Sequence, residues 1–161
     1  MQKVMGLLTD TFFIRALKSD AELIAMLPSG GVYNNVADPD YDMQNVPLPY
    51  IIVNNDGGEN QVATKDDQLE GAEDRVNVSI RIVARSREEL ADMTLRVRRT
   101  VCDYARASLE RVMSGNPETG DELCPYQYGF RFSDIAFDME KPAHAQMLYY
   151  DCIVQNEIYD E

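Results

Sequence analysis

The chain has 161 residues, 45% of them hydrophobic, and its 15 basic and 28 acidic residues give a formal net charge of -13. That length suits one domain able to bury a core without staples. No apolar run approaches the roughly 20 residues that cross a bilayer, and so much negative charge repels nucleic-acid phosphates and anionic lipid.

Val4, Leu7, Leu8, Ile14 and Leu17 recur at helical spacing, so an amphipathic helix is expected over about residues 3–18. Its charges suit such a helix better than a secretory leader. Ser19-Asp-Ala-Glu22 has the spacing of a capping box and opens a short second helix through Leu23, Ile24 and Leu27. Pro28 and Gly30-Gly31 end it. Val32 to Val36 reads as a short strand. Pro47 and Pro49 stiffen the start of another, at 48–55, which carries Tyr50, Ile51, Ile52 and Val53.

Residues 56–74 then show no period. They carry Asp56, Glu59, Asp66, Asp67, Glu70, Glu73 and Asp74 against Lys65 alone. A loop this long in a compact domain is usually functional or disordered. With few apolar groups to offset ordering entropy, it is expected to order only against another subunit or partner.

From Arg75 to Arg85 the alternation is the clearest in the chain. Val76, Val78, Ile80, Ile82 and Ala84 point one way, and Asn77, Ser79, Arg81, Val83 and Arg85 the other. A half-buried strand with one wet face follows, with Arg81 exposed. Ser86-Arg-Glu-Glu89 is a second capping box and opens the longest helix, to about Met113. Its core stripe is Leu90, Met93, Val97, Val101, Tyr104, Ala105, Leu109 and Val112.

Turn residues 114–121 lead to two closing strands. In Phe130 to Met139 the apolar phase slips from Phe130 and Phe132 to Ile135, Phe137 and Met139, which suggests a bulge near Ser133-Asp134. Leu148, Tyr150, Cys152 and Val154 form one face of the last strand. The order α-α-β-β-β-α-β-β specifies an α+β domain, with helices packed on a mostly antiparallel sheet.

Residues able to do chemistry are sparse. His144 is the only histidine and sits near a turn. Cys102, Cys124 and Cys152 are odd in number, suggest no disulfide framework, and are expected as reduced thiols. No phosphate-binding, dinucleotide or nucleophile-elbow motif occurs. Asp38, Asp40 and Asp42 begin like a calcium loop, but Met43 and Pro49 stand where its glycine and bidentate acid belong. Asp134, Asp138 and Glu140 alternate with apolar residues and read as a wet strand face. No catalysis, metal or cofactor is expected.

Residues Leu17 to about Ala107 resemble the small phage tail-completion proteins, also called tail terminators or tail-to-head joining proteins. The resemblance rests on ordered features. These are the helix running into Ser19-Asp-Ala-Glu-Leu23, the Val32-Tyr33 strand, Pro49-Tyr50-Ile-Ile-Val53, an irregular segment, Val76-Asn-Val-Ser-Ile-Arg-Ile-Val83 with Ala84-Arg-Ser86, and a long helix. It implies a subunit of a ring, commonly hexameric, that caps the tail tube and joins tail to head without cofactor or reaction. The partners would be further copies, the tube protein and the head connector or neck proteins, with DNA passing through unbound. The virion would be the destination, after assembly in the bacterial cytoplasm.

Within that frame, Asp66, Asp67, Glu70 and Glu73 of the loop are candidates to meet Arg96, Arg99 and Arg106, which lie off the core stripe of the long helix. The plain alternative is a solvated helix face with local pairs, Asp92–Arg96 and Asp103–Arg106. Two other functions fit the same elements: a head-closure or stopper component of the neck, and a small dimeric ligand-binding or regulatory α+β domain with a concave polar pocket.

Overall fold

The structure, a computed structural model, describes residues 9–28, 31–43, 45–61, 73–116, 123–138 and 141–155. In chain order the elements are α1 (Thr9–Lys18), α2 (Ala21–Ala25), β1 (Val32–Asn34), α3 (Pro39–Asp42), β2 (Tyr50–Gln61), β3 (Glu73–Ala84), α4 (Arg87–Met113), β4 (Leu123–Asp138) and β5 (Lys141–Gln155). The architecture is α+β. The strands form one five-stranded sheet in the order β1-β2-β3-β5-β4. β1 runs parallel to β2, and the other neighbours are antiparallel.

β3 sits in the middle because it alternates so strictly. Its helix-facing residues Val78, Ile80 and Ile82 are buried, as are Ile51 and Val53 of β2 and Leu148, Tyr150 and Cys152 of β5. α1 and α4 close this side with Phe12, Phe13, Leu17, Met93, Val97 and Val101. An edge-to-face aromatic contact pins the two helices together, Phe12 lying 5.1 Å from Tyr104 centroid to centroid, and Phe12 also meets Phe13 of its own helix edge-to-face at 5.5 Å. Asn35, in a left-handed conformation (φ 52°), fastens α1 to the strands beneath it. Its Nδ2 donates to Asp10 at 2.9 Å, and its Oδ1 accepts from Asn55 N at 2.9 Å.

The opposite face is not uniformly wet. Tyr50, Ile52, Val83, Ala143 and Ala145 form a second buried cluster with Met43, packed under Tyr33, Val36, Val46 and Leu48. The segment linking β1 to β2 folds over this corner, and its Pro39–Asp42 stretch forms one turn of helix, α3. Arg81 is consequently half-buried rather than exposed. No bulge falls where the apolar slip in β4 suggested one: the register is regular through Ser133 and Asp134, and Ile135 pairs with Ala143. The irregularities fall instead at Gln127/Gly129 and Ala136/Asp138.

The expected loop at 56–74 is also shorter than its sequence suggests. β2 continues to Gln61 and β3 begins at Glu73, with Gly58 opposite Val76 and Gln61 opposite Glu73. A register shift between Asn55 and Gly58 hides the strand period. Asn55 Oδ1 accepts from Gly57 N at 3.0 Å, and Gly57 takes φ 85°. At Gly58 a Cβ would collide with the Arg75 carbonyl oxygen across the ladder, so only glycine fits.

The first capping box is corrected as well. Asp20, not Ser19, caps α2, accepting from Leu23 N at 3.2 Å, while Ser19 Oγ donates back to Ala16 O. The second box holds at Ser86, which accepts from Glu89 N at 3.1 Å, but Glu89 reaches back to Arg85 N. Residues 1–8 of the expected first helix lie outside the described residues.

Replacing Ile80 with alanine is expected to cost about 2–5 kcal/mol, because a fully buried branched side chain leaves a cavity under both helices. Replacing half-buried Arg81 should cost clearly less. Urea unfolding of the two variants measures the difference, and equal losses would contradict the assignment of faces.

Candidate subunit interface

Of the seven residues expected at an interface, Asp66, Asp67 and Glu70 lie outside the described residues. Glu73 opens β3, paired with Gln61 on one side and Gln155 on the other. The three arginines of α4 separate. Arg99 is exposed. Arg106 is exposed too, with Nη1 3.7 Å from Asp103 and Nη2 donating to Cys102 Sγ at 3.8 Å.

Arg96 is occupied within its own chain. Its Nε and Nη2 donate to the two oxygens of Asp20, each at 2.7 Å, and Nη1 lies 2.8 Å from Glu22. Thr100 Oγ1 donates to the same carboxylate at 2.6 Å. Arg96 thus turns across to α2 rather than along its own helix towards Asp92. Asp20 does two jobs, capping α2 and forking with a guanidinium 76 residues away, and bidentate geometry makes this the strong form of such a pair. The Arg96 hydrogen bonds, helped by Thr100 and Leu23 N, hold the Asp20 carboxyl well below the usual carboxylate range.

The less expected surface lies on another side of α4. Ala91, Leu95, Arg98 and Cys102 follow one another at three- and four-residue steps, with Leu109 seven residues further on, forming a stripe turned from the core stripe. Leu95 is 49% exposed, and Leu109, Val112 and Met113 continue the apolar surface to the helix end. Leu109 and Val112, expected in the core, are exposed instead. Only Leu90, Met93, Val97, Val101 and Ser108 of α4 are fully buried.

Between α4 and the sheet runs a groove of about 480 Å³, lined by Arg87, Ala91, Leu95 and Arg98 on the helix and Gln146 on β5. Thr94 also lines it, its hydroxyl shut from solvent. Arg98 stands close enough to Tyr150 to oppose the burial that pushes that phenol up to about 12. β4, the outermost strand, is where the sheet extends past the helix layer. Phe130 lies opposite Leu148 on the helix side and is 69% exposed. The groove is thus basic at its helix wall, and β4, of 16 residues, is an edge strand of the sheet.

Among the described residues no group of three or more His, Cys, Asp or Glu is placed to hold a metal ion. No helix among them is long and apolar enough to cross a membrane. No model of a known protein family matches the chain, and no characterised protein shows significant similarity to it.

The Asp20–Arg96 pair gives a signed pH dependence. Asp20's folded value is depressed, so its contribution is fully present above the unfolded carboxylate range, near pH 4, and is lost as pH falls through the folded value. Asp20→Asn keeps a competent N-cap but removes the charge. It should cost roughly 1–2 kcal/mol at pH 7, a figure lowered because the Arg96 side chain is 38% exposed. The variant's loss of stability below pH 4 should be shallower than that of the wild type, as read by denaturation from pH 7 down to about 2.

Proposed function

We propose that this chain is a structural subunit of a phage or prophage particle, one of a ring that caps the tail tube and joins tail to head. The observation that carries the reading is the uncovered apolar side of the subunit. Leu95, Leu109, Val112, Met113 and Phe130 stay exposed beside a long edge strand, in a protein otherwise rich in charge. Soluble monomers rarely leave such a surface open, and edge strands of that length are normally covered.

The tail assignment within the class of assembling proteins draws on the resemblance. Its order of helices and strands is the order found in the fold. A ring also needs heterologous contacts, one patch meeting a different patch on the next copy. This chain offers unlike patches: the basic, apolar side of α4 and the acidic sequence between β2 and β3. Its net charge of -13 suits a channel through which DNA slides without adhering. Such a subunit performs no reaction and needs no cofactor. Its partners are copies of itself, the tail tube and the neck, and it ends in the virion.

The ring is expected to weaken with salt, since exposed charges are screened within about 10 Å at 0.1 M. The deciding experiment uses a phage lysate lacking this protein. Tube lengths should become irregular and heads should fail to join, and added wild-type protein should restore joining. Uniform, infectious tails without the protein would refute the reading. Reversing Arg99 and Arg106 to glutamate should abolish rescue while leaving the fold intact. Arg96 is unsuitable for that test, because its reversal would break the Asp20 pair instead.

A further inference from the structure

The register shift in β2 brings together two groups able to react with each other. Asp56-Gly57 is the only aspartyl- or asparaginyl-glycine step in the sequence. At such a step the glycine main-chain nitrogen can attack the side-chain carboxyl carbon of the residue before it. The carboxyl hydroxyl leaves with the amide proton as water, and a five-membered succinimide ring remains. Water then opens either ring carbonyl, which restores aspartate or leaves isoaspartate, whose main chain runs through the side-chain carbons. A side chain on the following residue would crowd the attack. Gly57 has none, and apart from its chain neighbours nothing lies within 4 Å of where its Cβ would stand.

In the fold both reacting groups are already engaged. Gly57 N donates to Asn55 Oδ1 at 3.0 Å, and φ of 85° holds the glycine in the left-handed region. The Asp56 carboxylate accepts a hydrogen bond from Ser79 of β3, which is buried. Partial burial pushes the Asp56 carboxyl up from its ordinary value, towards the neutral form that cyclises, and the Ser79 bond opposes this. Asn55 is itself anchored, since its own N donates to Asn35 Oδ1 at 2.9 Å. We propose that the Asn55 side chain guards the Asp56–Gly57 bond, holding the Gly57 nitrogen off the Asp56 carboxyl carbon and so suppressing isoaspartate at this bend in β2.

The bend is a place where such damage would spread. Isoaspartate adds one carbon to the main chain between Asp56 and Gly57. Immediately beyond, Gly58 passes so close to the Arg75 carbonyl that a Cβ has no room, so the ladder cannot absorb the extra atom. The pairs from Gly58–Val76 to Gln61–Glu73 would part.

This inference concerns the lifetime of the folded chain and is independent of the particle the chain serves. The test ages the full chain near neutral pH in heavy-oxygen water. Each ring opening leaves a heavy oxygen at residue 56, which peptide mass spectrometry counts, with Asp56→Glu as the blank. Asn55→Ala should take up label roughly tenfold faster than the wild type, as expected for loss of one restraining hydrogen bond. Asn55→Asp keeps an acceptor for the Gly57 N–H and should stay near the wild-type rate. Circular-dichroism melts check that the variants fold, and wild type held in urea gives the unrestrained rate. Folded wild type labelling as fast as the urea sample, or Asn55→Ala labelling no faster than wild type, would overturn the inference. Acceleration in Asn55→Asp equal to that in Asn55→Ala would overturn it too, by tracing the effect to a loosened strand and not to the acceptor.

Discussion

Everything in this fold hangs on β3 pairing along its whole length with β2 on one side and β5 on the other. A strand in that position must satisfy two ladders at once and offer a dry face to the helices. Val78, Ile80 and Ile82 supply that face at nearly zero exposure. A slip of one residue would turn all of them to the far side, so the register of the central three strands is fixed by burial alone. The helices follow from it, since α1 and α4 find apolar sheet only where this face lies.

The electrostatics are arranged around the same scaffold. A chain with a net charge of -13 must place its few basic groups with care. One of them, Arg96, ties the N-cap of α2 to the middle of α4 through Asp20, with Thr100 completing the carboxylate's partners. That pair is strong because it is forked and sheltered, and it removes Arg96 from any encounter with another molecule. Arg98 and Arg99 stand exposed on the same helix.

The mismatch between the helix layer and the sheet produces the candidate interface. α1 packs over β1 to β3 and α4 over β3 and β5, so β4 projects beyond the helices with Phe130 uncovered. On the other side of the sheet, the segment between β1 and β2 packs over the corner around Tyr50 and Ala145. The uncovered edge at β4 is the physical ground of the ring proposal.

Much of this was readable from residues alone. Alternation in 75–85, the helical period from Leu90 to Tyr104 and the Ser86 cap each encode a local choice that the tertiary structure keeps, because burial reinforces it. The α+β class followed from the order of such elements. Where local chemistry competed, the sequence misled: Asn55-Asp-Gly-Gly58 looks like the start of a loop, yet the ladder absorbs it as a bulge and continues. The separation of Arg96 from Arg99 and Arg106 was also invisible, because its partner lies 76 residues away and nothing in the local spacing points to it. The α4 stripe through Leu95 and Leu109 carried a faint signal, a second apolar row turned from the first. Whether such a row is buried depends on how far a sheet extends beneath the helix. Periodicity fixes which side chains share a face, but only the packing of distant strands decides which faces are covered and which are left open to a partner.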